Sequence, residues 1–382
     1  MRNKISKALT VCVLLSLLTG CFPSGELKTS SEPAANSTNN VTPSANSDNS
    51  EPDAPKELEY VKFNIEPDGE YPTEVPVIKA KMAAFNFEEV KPILLGDKDV
   101  TAVGNGIYYT DDGVTFIVRD NQVTYRIEHR YDNDEEKQLI SDIRHTAVTN
   151  LKQHYMRYKK LNSELEGFPR SEALARANEL VEKVGLKYLG KPTVYTFTSE
   201  EVDENLKELM YSSIKDENPS MLEVHLPKED EFYLVSYLTT FNDIPAPDIS
   251  SSVFDGTYQA LSFAQIILTK DELVSFQCVG TYDNIEIDGT SRINCSPATA
   301  LSKLYDYYAI KEENGQMRDR FEYNKLSLSY MTFSVDEGTG DVIYKPVWHV
   351  TGIRRPLNDP EKELLTGKFI DPATGFVFDT DY

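Results

Sequence analysis

Short runs in which apolar and polar side chains alternate, broken by tight polar turns, restrict this chain more than any other feature of it. Val114, Phe116 and Val118, then Val123, Tyr125 and Ile127, place every second side chain on one face, with Asp111-Asp112-Gly113 and Asp120-Asn121 as punctuation. Successive strand residues point to opposite faces, so such runs bury one face and pair through tight turns as antiparallel hairpins. With Val75 to Lys81 as an extended opening and a strand at Ile107 to Thr110, they predict a β-meander.

Helical spacing interrupts the strands. Leu139, Ile140, Ile143, Ala147, Val148, Leu151, Tyr155 and Tyr158 recur every three or four residues after the acids Asp134, Glu135 and Glu136, and their stripe should pack on the sheet. A second helix is expected with Ser171 as its cap, Leu174, Ala177, Leu180, Val181 and Val184 as its face, and Gly185 as its stop. After it come an extended stretch from Tyr188 to Phe197, a capping box Thr198-Ser199-Glu200-Glu201 opening a short helix, a strand from Phe232 to Phe241, and a hairpin of Gln265 to Leu268 with Leu273 to Gly280. The order then repeats. Ser296 caps, Pro297 takes the first helical position, and Ala300, Leu301, Leu304 and Tyr308 form the stripe. Strands follow at Leu326 to Val335, Val342 to Val350, Lys368 to Ile370 and Phe376 to Phe378.

The first sixty residues bear on location. Arg2, Lys4 and Lys7 precede an apolar run from Ala8 to Leu18 and then Thr19-Gly20-Cys21, the layout of a secretory leader over residues 1–20. About eleven apolar residues rising ~1.5 Å each reach only ~16 Å, half of a ~30 Å hydrocarbon core, so the run is expected to be removed rather than to span. Leu18-Thr19-Gly20-Cys21 resembles the bacterial lipobox. That resemblance implies a diacylglycerol on the Cys21 thiol and enough acyl chain for stable anchoring outside the cytoplasmic membrane. An ordinary leader that happens to have a cysteine near its cut is the plainer alternative. Residues 21–58 are Ser, Asn, Pro, Thr, Ala and acids, as in Ser44-Ala45-Asn46-Ser47-Asp48-Asn49-Ser50, and too polar to form a core. They are expected to be a disordered tether with an r.m.s. reach of ~33 Å.

The remainder divides into an N-terminal α+β unit at 59–165 and two units at 166–290 and 291–382. The fold class expected is α+β, tandem modules of a helix packed on antiparallel sheet after a mixed N-terminal unit. Phe232-Tyr233-Leu234-Val235-Ser236-Tyr237 corresponds to Tyr344-Lys345-Pro346-Val347-Trp348-His349, and the later hairpins also align. A helix, a strand carrying Pro346-Val347-Trp348 and a closing strand pair split by Asp371-Pro372-Ala373-Thr374-Gly375 resemble the PepSY domain and the related regulatory lipoprotein-like proteins of the YycH and YycI type. The likeness covers about the last ninety residues well and about 120 before them loosely, since Thr269-Lys270-Asp271-Glu272 lacks a turn glycine. It implies work by protein contact in the cell envelope, on a sensor kinase or a protease. Members of the YycH and YycI type are held by a transmembrane helix, whereas this chain carries a lipobox-like cysteine.

Composition narrows the partners. The formal charge is −23, and loss of the leader removes Arg2, Lys4 and Lys7, so nucleic acid and anionic headgroups are repelled. A solvated acidic surface that keeps the body soluble is the simpler reading of that charge. Cys278 and Cys295 are the cysteines left in the folded part. An oxidising compartment permits a bridge that would add roughly 3 kcal/mol, and the sequence leaves the pairing open.

Catalytic signals are sparse. No Gly-x-Ser-x-Gly elbow is present, and Gly289-Thr290-Ser291 reads as a turn. The five histidines lack His-Glu-x-x-His spacing, and His145 and His154 lie nine apart. Asp132 to Glu136 places Lys137 and Ile143 where a calcium loop needs Gly and Glu, and acids at a helix start suffice to explain it. Trp348, the one tryptophan, reads as core. The expectation is a non-enzyme without metal or cofactor: a lipid-anchored binding or regulatory protein with a protein partner in the envelope. A ligand- or glycan-binding lipoprotein is the alternative, for which 22 tyrosines and 17 phenylalanines supply aromatic surface, although a transporter receptor would show alternating strands and helices. A hydrolase with paired carboxylates ranks third.

Overall fold

The computed structural model describes residues 57–66, 70–129, 135–154, 158–213, 225–246, 262–336, 339, 341–360 and 362–378. Cys21, the leader and nearly all of the tether lie outside them. The fold is α+β, with two largely antiparallel sheets flanked by helices.

The chain enters through β1 (Val61–Phe63) and β2 (Glu74–Met82), crosses helix α1 (Phe87–Leu94) and forms the meander β3 (Thr101–Gly104), β4 (Ile107–Tyr109), β5 (Val114–Arg119) and β6 (Gln122–Ile127). Helix α2 (Glu135–His154), helix α3 (Arg170–Val184), β7 (Thr193–Phe197) and helix α4 (Ser199–Ser213) follow. Next come β8 (Phe232–Phe241), β9 (Ile244–Ala246), β10 (Phe263–Leu268), β11 (Leu273–Val279) and β12 (Tyr282–Arg292). Helix α5 (Pro297–Glu313) leads to β13 (Asp319–Val335), β14 (Asp341–Pro356), β15 (Leu364–Ile370) and β16 (Val377–Phe378).

A nine-stranded sheet runs β3-β4-β5-β6-β11-β10-β8-β7, with β9 folded back on β8. The seven-stranded sheet runs β1-β13-β14-β15-β16, and β2 joins it by pairing with both β14 and β12. The segment 59–165 therefore gives β1 and β2 to one sheet and β3 to β6 to the other, and β12, which begins in the segment 166–290 and runs across its end, belongs to the seven-stranded sheet. The three expected units are interleaved rather than laid end to end. Pairing partners far apart in sequence decide this: β1 lies parallel to β13, Val61 opposite Phe321, and β6 pairs with β11, Tyr125 opposite Phe276. After α3 the chain forms β7, then α4, then β8 to β11, whereas α5 is followed directly by β13 to β16, so a helix followed by antiparallel strands recurs without one shared element order.

The local signals explain most elements. Gly113, at φ 88°, turns the chain between β4 and β5. Ser296 caps α5 by accepting the Thr299 N–H at 3.1 Å, with Pro297 at the first position, as expected. Gly185 ends α3 in the left-handed conformation at φ 79°. The cap expected at Ser171 is displaced. Helix α3 opens at Arg170 after Pro169, and the Glu164 carboxylate accepts the Arg170 N–H at 2.7 Å, taking the place of a side-chain cap. Tyr158, expected inside α2, follows the helix and packs edge-on against Phe197 at 5.5 Å.

Three main cores result. Between α1, α3 and one face of the nine-stranded sheet lie Val90, Ala173, Ala177, Phe116, Tyr233 and Phe276. On the opposite face α2 and α4 bury Ile143, Ala147, Leu206, Phe232 and Ile267. The third core sits under α5, where Ala300, Leu304 and Tyr308 meet Tyr323, Tyr344, Trp348 and Val350. Phe241, at the end of β8, enters this third core beside Tyr344 (5.1 Å), Tyr330 (5.6 Å) and Tyr282 (5.9 Å), and so joins the two sheets. Hydroxyls buried there are paired: Tyr282 with Tyr344 and Tyr308 with Tyr323, each at 2.5 Å, while Tyr330 donates to Pro76 O at 2.9 Å.

One buried base gives this body an acid limit. His349 stacks on Phe369 at 4.6 Å, and burial, with Lys325 nearby, holds its pKa down to about 3. Below the ordinary value of about 6.5 the unfolded chain binds a proton that the folded one refuses, so stability present above pH 6.5 is lost at roughly 1.4 kcal/mol per pH unit as the pH falls toward 3. His349→Phe is expected to narrow the difference in urea stability between pH 7 and pH 4.5 by about 2–3 kcal/mol. An unchanged difference would contradict the assignment.

Candidate functional site

Strand β12 is a long, solvent-facing element that carries an exposed apolar side chain, Ile287. It is 11 residues long and nearly all of it faces solvent. Among the described residues it pairs with β2 alone, so its second edge presents backbone donors and acceptors without a strand opposite. The ladder to β2 shifts register twice, between Tyr282 and Asn284 and between Ile287 and Thr290. Gly289, at φ 131°, supplies the second irregularity. Gly289-Thr290-Ser291 is thus part of a strand, a correction to the turn expected there.

The two faces of β12 differ chemically. Ile285 packs against the core under α5, and Ile287, two residues on and opposite Ile78, is 69% exposed. Glu286 and Asp288 are exposed, and Glu286 stands opposite Lys79 on β2. Beside them is an open depression of about 320 Å³ lined by Asp288, Lys79, Asp336, Asp341 and Ile343 among others. Lys79 bridges Asp341 at 2.9 Å. The hydrogen bond that Lys79 donates to the Asp341 carboxylate raises the lysine and lowers the carboxyl, so both stay charged. A second depression, about 420 Å³, lies at the start of α3 between Arg170, Leu174 and Lys191.

The sequence-predicted residues fall elsewhere. Cys21 lies outside the described residues. Cys278 and Cys295, whose pairing the sequence leaves open, are both free and buried, with Cys278 in the core beneath the nine-stranded sheet and Cys295 in the one under α5. Burial pushes the Cys278 thiol up to about 12 and raises the Cys295 thiol as well, which keeps both protonated and poorly nucleophilic. Cys295 has a structural task, since its carbonyl accepts the Trp348 Nε1–H at 2.8 Å. Its N–H and that of Asn294 donate to Pro372 O at 2.8 and 3.0 Å, fastening the Asp371-to-Gly375 turn to the start of α5. Glu201 is the one buried carboxylate among the described residues, and its Oε1 accepts the backbone N–H groups of Lys159 and, at 2.8 Å, Lys160. No group of three or more His, Cys, Asp or Glu arranged to hold a metal occurs among the described residues.

The sequence did carry a signal for β12, because Ile285, Glu286, Ile287 and Asp288 alternate, but a glycine inside the run hides its length.

No protein-family model matches this chain, and no curated protein matches it. Its class is that of mixed α+β proteins with two largely antiparallel sheets. Within that class it shares its fold with an uncharacterized protein from Eubacterium rectale ATCC 33656, whose crystal structure at 1.45 Å resolution superposes with a TM-score of 0.58 at 16% identity, covering 84% of this chain and 91% of that one.

Proposed function

We propose that this chain is a lipid-anchored, extracytoplasmic lipoprotein that modulates another envelope protein, a sensor kinase or a protease, by contact and without catalysis. The observation that carries this reading is the open edge of β12, a long ladder of backbone groups with exposed Ile287 at its middle. An extended segment of a partner adds to such an edge through main-chain hydrogen bonds. The lipobox-like Leu18-Thr19-Gly20-Cys21 supports the location, and the run of α5 followed by the antiparallel strands β13 to β16 supports a C-terminal module of the PepSY type.

The test is a photo-crosslinking amino acid placed at Ile287 and, as a control, at Ile310 on α5, which is 59% exposed. In intact cells the reading expects a discrete adduct of one partner protein from position 287 and none from 310. Equal, diffuse labelling from both, or none from either, would remove β12 as the contact surface.

A further inference from the structure

We infer that the partner segment received by β12 is a strand in which basic and apolar side chains alternate. The inference rests on the reading of β12 as the contact edge and adds the chemistry of what it takes.

An added strand lies in the same pleated plane as β12, so its side chains project alternately to the two faces that β12 already defines. On one face its neighbours are Ile285 and the exposed Ile287. Cross-strand pairing favours apolar, β-branched side chains there, and they would cover surface that β12 leaves in water. On the other face the neighbours are Glu286 and Asp288, with the depression holding Asp336 and Asp341 next to them. Lys79 and Lys81 are the cations from β2 on this side, and Lys79 is bridged to Asp341. The acids therefore outnumber the cations, and a Lys or Arg at alternate positions of the incoming strand finds carboxylates within reach. The long-range field of a chain with formal charge −23 steers the same way.

Charge also argues against the simplest rival, a second copy of this chain pairing edge to edge. Two β12 strands brought together would set Glu286 and Asp288 against carboxylates of the same set, and like charges across a ladder destabilise it. Acids on an exposed edge thus exclude self-association while admitting a basic strand.

The test uses the purified full chain and three fluorescent peptides: alternating Lys and Val, alternating Glu and Val, and the Lys–Val peptide with alternate backbone nitrogens methylated. The Lys–Val peptide is expected to bind, to slow amide hydrogen exchange over residues 283–291, and to weaken with salt. Glu286→Gln with Asp288→Asn, both exposed, is expected to leave the thermal transition unchanged and to weaken binding by about tenfold. The methylated peptide keeps every charge but cannot complete the ladder, and is expected to fail. Equal binding of the methylated peptide would mean adsorption to an acidic surface and overturn the inference, as would equal binding of the Glu–Val peptide. Lack of Lys–Val binding alongside a specific crosslink at Ile287 would overturn the partner chemistry and leave the contact surface standing. Lack of both would remove the contact surface itself.

Discussion

Arg144→Ala is expected to lower the stability of the folded body by about 3–5 kcal/mol at neutral pH, the cost of breaking a buried ion pair from one side. Arg144 stands in the middle of α2 with only 5% of its side chain exposed. Its Nε donates to Asp230 O at 3.3 Å, a terminal nitrogen donates to the Asp230 carboxylate, and the Glu272 carboxylate lies at 3.8 Å. One guanidinium thereby ties α2 to the turn before β8 and to the turn between β10 and β11. Burial lowers Arg144 and raises Asp230, each away from its charged form, so the pair persists through mutual contact rather than favourable surroundings. Alanine would leave Asp230 half-buried and uncompensated. The double variant Arg144→Met with Asp230→Asn removes both charges and is expected to lose clearly less than the sum of the single variants. Urea titration followed by circular dichroism measures this, and a loss below about 1 kcal/mol for Arg144→Ala would show that the pair does not hold α2.

Trp348→Ala is the second large effect, expected at about 3–5 kcal/mol from the lost ring, the cavity and an orphaned carbonyl. The ring is 3% exposed beneath α5, with Tyr71 edge-on at 5.6 Å. Its N–H holds the Cys295 carbonyl, and Cys295 and Asn294 hold Pro372, so one side chain registers the entry of α5 against the β15–β16 turn. Trp348→Phe fills most of the volume but leaves that carbonyl unpaired, and is expected to cost about 1–3 kcal/mol. A loss for the Phe variant equal to that for Ala would assign the whole effect to the hydrogen bond rather than to packing.

These two contacts also mark what a linear reading reaches. The Ser296-Pro297 start of α5, the Gly185 stop of α3, the hairpins of β5 with β6 and of β10 with β11, and the buried place of Trp348 all follow from neighbours within a few residues, where period, caps and turn chemistry are written. The partners of Arg144, 86 residues away in Asp230, have no such local mark. Nor does the choice of β2 to join β14 and β12 while β3 to β6 join β11, because any strand with the right alternation satisfies the pattern and only the assembled cores select among them. Cys278 and Cys295 illustrate the same point: a pair suggested by counting is separated by the cores into which each folds. At β12 the alternation was present, but Gly289 interrupts it where the structure makes a bulge, and glycine within a strand reads locally as a turn.

Contact with an envelope partner requires the body to stand outside the membrane, held there by its N-terminus. Intact mass analysis of the N-terminal peptide from the membrane fraction, compared between the native chain and Cys21→Ser, measures this directly. The expected result is a chain that begins at Cys21, carries acyl mass on that residue and leaves the membrane when the thiol is replaced. A chain recovered from the cytosol with Met1 and an unmodified Cys21 would contradict it.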